Sequence, residues 1–342
     1  MTEGQTQDST AAPISPRSNR KRNYALRVIG LAVLIALLTF ALRNAPLVQI
    51  WNTLRQLQLW QVAVILSLDF IIYLFVTARW WLIVRAENRG ISYLPMIGVR
   101  ISVFGISYFT LGPQVGGEPL QVLYLQRRYG LTFTRATATV VMDKLLELLA
   151  NFILLVFGVT GILQAGILSG SGSLSVPVLA AITLLVAWPL VHVILLHRKI
   201  YPLSACLQTM RFARHAKAVR FVRAAEHLAG RFCQRQTRAL FAAIFISMLA
   251  AIGMVSEYFL MTSFLRLHLQ FWQTVAAWTA GWLSFLVPLP GGLGALEASQ
   301  VFALGFFGIT AAPAIGVALV MRARDLIIGG LGLLLAGRMI AK

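Results

Sequence analysis

Acidic residues and cysteines are scarce in this chain. It has 11 Asp and Glu against 30 Lys and Arg in 342 residues, and two cysteines, Cys206 and Cys233. Both cysteines fall in a basic loop and no Cys-x-x-Cys occurs, so neither a disulfide framework nor a thiolate metal site is expected. The five histidines are scattered and give no metal-ligand spacing. No Ser/His/Asp arrangement stands out, and an enzyme needs a nucleophile with a base or a metal. The expectation is a non-enzyme with no cofactor and no metal. His192, alone in an apolar run, reads as a packed polar residue.

Apolar sequence is what the chain has in excess. It is 58% hydrophobic with a mean hydropathy of +0.77. A soluble domain is about 45–50% apolar. Six runs are long enough to cross a bilayer, at about 26–43, 60–83, 136–160, 176–196, 239–265 and 313–337. Two more apolar regions, 93–127 and 271–306, are interrupted by Gly and Pro. The expected fold is an all-α polytopic membrane protein, with six full spans and two re-entrant broken segments.

The net charge of +19 is distributed by side. With a cytoplasmic N-terminus and both broken regions returning to their own side, loops 84–92, 127–135 and 197–238 are cytoplasmic. Roughly 22 of the 30 Lys and Arg then face the cytoplasm and about 3 the opposite side. That asymmetry explains the charge by topology and anionic lipid, not nucleic acid. Residues 1–25 read as a disordered cytoplasmic tail ending in a basic run. The run that follows, 26–43, reads as a retained first span and not a cleaved signal. In loop 197–238, Arg223, His227, Arg231, Arg235 and Arg238 fall on one helical face with Phe221, Leu228 and Phe232 opposite. This pattern suggests a helix lying on the membrane surface; a solvated connector is the alternative.

Two stretches about 178 residues apart match each other. Gly105 to Pro113 followed by Gly116-Gly117-Glu118 parallels Gly281 to Pro288 followed by Pro290-Gly291-Gly292 and Glu297. Tyr129-Gly130-Leu131-Thr132 parallels Phe307-Gly308-Ile309-Thr310, Lys144 parallels Arg322, and Glu147 parallels Asp325. Repeat one is placed at about 60–160 and repeat two at about 239–338, within a transmembrane domain over 26–342. The proposed topology makes the repeat inverted. Paired broken helices in such repeats point to a transporter's binding site.

Seven of the 11 acids fall within apolar or broken spans: Asp69, Glu118, Asp143, Glu147, Glu257, Glu297 and Asp325. A charge at the bilayer centre costs roughly 2.5–3.5 kcal/mol on insertion scales, so these mark a polar pathway or internal ion pairs. Glu118 before Pro119, after Gly116 and Gly117, reads as a helix start, which caps a helix or offers N–H groups to an anion. Gly291 and Gly292 before Glu297 allow close backbone approach to a ligand or a neighbouring helix. Lys144 and Glu147 are spaced i, i+3, as are Arg322 and Asp325. Asp143, Arg324 and Arg100 are further candidates. A cation that trades its carboxylate for a phosphate would bind a headgroup; a permanent salt bridge is the alternative.

Gly116-Gly117-Glu118-Pro119-Leu120, Arg127-Arg128-Tyr129-Gly130, Val141-Met142-Asp143-Lys144-Leu145-Leu146 and Pro290-Gly291-Gly292-Leu293-Gly294-Ala295-Leu296-Glu297-Ala298 together resemble the lysylphosphatidylglycerol synthase transmembrane-region family, a flippase-like family. The likeness covers about residues 25–340. It implies a lipid-handling domain in a bacterial cytoplasmic (inner) membrane, and the charge asymmetry places both termini in the cytoplasm. Full-length synthases also carry a soluble aminoacyl-transferase domain, and this chain is expected to be the stand-alone membrane domain. The expected function is translocation or scrambling of an anionic phospholipid or polyprenyl-linked lipid between leaflets. Its partners are then membrane lipids with anionic headgroups. The alternative is a non-transporting accessory subunit that docks on polar-lipid, hopanoid or glycan biosynthesis proteins.

Overall fold

The computed structural model describes residues 55–110, 116–164, 176–209, 216–287 and 289–341, with Val48, Trp51 and Asn52. Tail 1–25 and the expected span 26–43 lie outside them. Among the described residues every regular element is helical: α1 (Leu59–Glu87), α2 (Tyr93–Phe109), α3 (Glu118–Tyr129), α4 (Phe133–Gln164), α5 (Val176–His197), α6 (Pro202–Thr209), α7 (Ala216–Arg235), α8 (Thr237–Phe264), α9 (Phe271–Ser284), α10 (Ala295–Gly305) and α11 (Ala311–Ala341), with a 3-10 turn at Pro290–Gly292. The chain is all-α. α1 and α8, of 29 and 28 residues, are each long and apolar enough to cross a membrane. Their outward faces carry Phe70, Ile71, Phe241, Phe245 and Ile252, all exposed. α11 adds exposed Ile327, Leu331 and Leu334. Water penalises such a surface and a lipid interior does not.

Local signals set the helix ends. The Gln58 N–H donates to Gln61 Oε1 at 2.9 Å, and the Gln270 N–H donates to Gln273 Oε1 at 2.8 Å. The Trp60 and Trp272 indoles each donate to the glutamine two residues earlier. α1 and α9 thus start with the same capping device. Gly130 and Gly308 both adopt left-handed φ, +66° and +79°, and end α3 and the turn after α10. The Leu131 N–H then reaches back to the Leu125 carbonyl, and the Ile309 N–H to the Leu304 carbonyl. A residue with a Cβ is strained at such a φ, which is why glycine stands at both matched positions.

Each broken region folds as a helical hairpin. The Gly117 N–H donates to Ser107 Oγ at 2.8 Å, and Val122 and Leu125 of α3 pack with Met96 and Val99 of α2. In the second hairpin Gln300 Nε2 donates to the Ala277 carbonyl at 3.2 Å, and the Trp272 and Phe307 rings meet edge to face at 5.2 Å. Both registers run backwards along the partner helix. The hairpins open at opposite ends of the bundle. The ends of α2 and α3 cluster with Val84, Leu131 and Met339, whereas the ends of α9 and α10 cluster with Leu57, Met261 and Ala314. Exposed Arg85, Arg89, Arg127, Arg128 and Arg135 gather at the first end; Arg55 and Arg266 lie at the second.

Helix contacts come in matched sets. α2 packs on α11 and α9 on α4, while α1 pairs with α8. The α2/α11 contact is backbone on backbone: a Cβ at Gly332 would lie 2.2 Å from the Ile101 carbonyl oxygen, and one at Gly105 2.6 Å from that of Gly329. Small residues allow this approach where lipid supplies no hydrophobic drive.

The basic helix differs from expectation in two respects. Arg238 begins α8 and is not part of α7, because Gln236 breaks the helix between them. The apolar face of α7 is also buried in protein. Phe232 and Cys233 pack with Leu145 and Leu149 of α4 and Leu196 of α5. Phe221 stacks on Phe133. Arg223, His227, Arg231 and Arg235 face outward.

Gly332→Ala and Gly117→Ala should each destabilise the fold by about 1–3 kcal/mol through overpacking. Gly330→Ala, with open space at its Cβ, should not. Melting temperatures of the three detergent-solubilised variants check this.

Candidate functional site

A cavity of about 210 Å³ lies at the centre of the bundle. Both halves of the chain line it: α1 to α4 supply Asp69, Arg100, Glu118, Lys144 and Glu147, and α8, α9 and α11 supply Glu257, Trp278, Trp282, Arg324 and Asp325. Tyr73, Phe104 and Tyr108 add apolar rings to the wall.

The first charge cluster is a closed box. Arg79 on α1 sends Nε to Asp143 Oδ1 at 2.6 Å and Nη2 to Glu147 Oε2 at 3.0 Å. Arg100 on α2 sends Nη1 to Asp143 Oδ2 at 2.8 Å and Nη2 to the same Glu147 oxygen at 3.0 Å. Asp143 has no exposed side-chain surface. Two planar forks therefore grip two carboxylates one turn apart on α4, which ties three helices together. Lys144 sits at the rim, 3.0 Å from Glu147 and 3.2 Å from Glu118, with 27% of its side chain exposed. Three cations face three acids here, and the cluster is neutral.

The second cluster surrounds Arg324. Its guanidinium meets Glu257 at 2.6 Å and Asp325 at 2.7 Å, with Asp69 at 4.0 Å. One cation faces three acids. Glu257 Oε1 is buried and has no hydrogen-bond partner among the described residues.

The third group lies outside the main cavity. Arg322, 2% exposed, reaches Glu297 Oε2 through Nη2 at 2.7 Å and donates to the Gly291 and Gly292 carbonyls at 3.2 Å. Gly291, Gly292 and Gly294 all have positive φ. The arginine staples this left-handed turn to α11, and Glu297 in turn accepts the Gly294 N–H at 3.0 Å.

The sequence candidates thus divide three ways. Arg100, Glu118, Asp143, Lys144 and Glu147 come together in one cluster, and Arg324 joins Asp325 in another. Arg322, Glu297, Gly291 and Gly292 form a separate structural turn. The spacing of Arg322 and Asp325 suggests a pair that does not form: Arg322 points to the turn, and Asp325 takes Arg324. Lys144–Glu118 and Arg322–Glu297 nevertheless match, each joining the acid in the first turn of the hairpin's second helix to the following long helix. Gly117 packs beneath α2, where a Cβ would meet the Val103 carbonyl oxygen at 2.2 Å. Gly116 is half-buried beside it.

Arg79 was not singled out by sequence, and Asp69 and Glu257 entered only as intramembrane acids. A usable signal existed for two of them. Arg79 and Glu257 stand 178 residues apart, the offset that also relates Lys144 to Arg322. Their opposite charges hide the match from a comparison that seeks like residues. Among the described residues no group of His, Cys, Asp or Glu is arranged to hold a metal.

Arg322→Gln should destabilise the protein by about 3–5 kcal/mol, because it leaves a carboxylate and two turn carbonyls uncompensated. Lys144→Gln should cost less than Arg322→Gln, since Glu147 keeps both arginines and Glu118, which loses its cation, can still accept a hydrogen bond from the glutamine amide. Thermal unfolding of the two purified variants separates these roles.

A family model described as the lysylphosphatidylglycerol synthase TM region matches residues 27–332, nearly the whole chain. No curated protein and no solved structure matches it. The matched span takes in both hairpins, the arginine-carboxylate box and the Arg324 cluster. This is a membrane protein, and the chain belongs to the lysylphosphatidylglycerol synthase TM region family.

Proposed function

We propose that the protein moves the headgroup of an anionic phospholipid or polyprenyl-linked lipid between leaflets through the central cavity. The observation that carries this reading is the wall itself: partly exposed charges from both halves of the chain border one cavity between matched hairpins. Its volume of about 210 Å³ has room for several waters beside a phosphate. Lys144 and Arg324 are the cations with side-chain surface to offer, 27% and 18%. Each has carboxylates that hold it when no phosphate is present. The acyl chains stay outside, against the exposed apolar helix faces.

The two hairpins serve as re-entrant elements of an inverted repeat, each opening to one side. The matched contacts of α2 with α11 and α9 with α4 support two states of similar energy that expose the cavity alternately. The basic end faces the cytoplasm by the positive-inside rule, in a bacterial inner membrane with both termini cytoplasmic. The protein carries no catalytic group in this reading.

Leaflet exchange of fluorescent lipids in proteoliposomes tests the function. Wild type should exchange an anionic lipid, and Lys144→Gln should slow exchange about tenfold or more, the loss of one charge-assisted contact. No exchange of any lipid by well-folded protein would favour the accessory-subunit reading, with the outward arginines of α7 as the docking face.

Topology has its own test in the two thiols. Cys206 is exposed and Cys233 buried, and burial pushes the Cys233 thiol up to about 12. At neutral pH Cys233 stays protonated and inert. A membrane-impermeant maleimide should label Cys206 alone, and only in inside-out vesicles. Labelling from the outer face would reverse the assigned orientation.

A further inference from the structure

The two clusters on the cavity wall differ in one respect that the translocation reading does not use. Around Arg79, Arg100 and Lys144 the charges balance. Around Arg324 three carboxylates share one guanidinium, so full ionisation leaves an excess of two negative charges. Glu257 is 1% exposed, and its Oε1 has no hydrogen-bond partner among the described residues. Its other oxygen meets Arg324 at 2.6 Å, but three acids share that one cation, and a proton on Oε1 offsets the cost of holding the excess charge out of water. Asp69 is also weakly held, since its contact with Arg324 at 4.0 Å is too long for a hydrogen bond.

We propose that Asp69, Glu257 and Asp325, gathered around Arg324 on one wall of the cavity, form a proton-binding site that couples headgroup movement to proton uptake. The ligand is a proton from the aqueous phase. Each proton bound turns one carboxylate into a carboxylic acid and lowers the excess negative charge by one. Glu257 is the principal acceptor through its free oxygen.

The surroundings of Glu257 are compatible with this role. α1 brings Asp69 and Tyr73, and α11 brings Arg324 and Asp325. Tyr258 is its neighbour on α8. Across the cavity stand Lys144 and Glu147 of α4, Arg100 and Tyr108 of α2, and Glu118 of α3. Lys144, Arg100 and Glu147 are taken up by the balanced cluster. α9 packs beside α8 without a charged residue. α7 meets α8 near Leu240 and Ala243, more than ~20 Å away along the helix.

The coupling rests on the translocation reading. A phosphate in the cavity draws Arg324 from its acids. Their excess charge then rises from two to three, and proton uptake offsets the loss. Release of the phosphate returns Arg324 and expels the proton. The proton site itself stands without that reading.

Infrared difference spectroscopy of the purified full chain in lipid nanodiscs, titrated across pH, tests the site. The carbonyl stretch of a buried carboxylic acid should appear as pH falls and be lost in Glu257→Gln. That variant removes an excess charge and should melt no lower than wild type. Asp69→Asn should shift the titration without abolishing the band. No protonated band, a band that persists in Glu257→Gln, or a band removed by sodium at fixed pH would overturn the proton site. Proteoliposomes with an imposed pH gradient test the coupling. The gradient should accelerate lipid exchange by wild type and leave Glu257→Gln unaffected; equal acceleration of both overturns the coupling. A normal infrared band without exchange of any lipid sinks the translocation reading, and the coupling with it, and leaves the proton site standing.

Discussion

A guanidinium carried out of water has to meet its anions inside the protein. Arg79 and Arg100 meet theirs on one turn of α4, where Asp143 and Glu147 each take both arginines. That box decides where α1 and α2 sit against α4. Breaking any corner strands a charge where solvation cannot rescue it. The wall of the cavity is built on this frame, and the partly exposed Lys144 joins it at the rim, held by Glu147 and the buried Glu118.

The second half of the chain answers the same constraint differently. At the position matching Lys144 it has Arg322, whose longer forked group spends itself on Glu297 and two glycine carbonyls. The lysine on one side is a partly exposed point charge; the arginine on the other is a buried rivet. The charge that faces the cavity from the second half is Arg324, two residues on. Its acids outnumber it. The site therefore has one balanced wall and one acid-rich wall, although the helices that carry them are arranged alike.

Glycine does complementary work. Backbone contact between α2 and α11 needs Gly105, Gly329 and Gly332, and the broken turn held by Arg322 needs left-handed Gly291 and Gly292. Rigid hairpins held by close packing and a few buried ion pairs suit a protein proposed to alternate between two arrangements.

Much of the fold was legible in the sequence. The apolar runs marked α1, α4, α5, α8 and α11, because helix length and hydropathy are local properties. Gly-Pro interruptions located both hairpins, and Gly130 and Gly308 marked matching ends, since only glycine tolerates their φ. The scarcity of acids pointed to Glu118, Asp143, Glu147, Glu297 and Asp325. Partnership was not legible. The i, i+3 spacing of Arg322 and Asp325 suggested a pair that tertiary packing overruled, because the turn at Gly291 offered Arg322 a carboxylate and two carbonyls at once. Arg79 joins Asp143 across 64 residues, and Arg324 joins Glu257 across 67. Sequence determines which charges enter the apolar interior. Only the packing of helices decides which of them meet, since ion pairing there depends on distance through space and not along the chain.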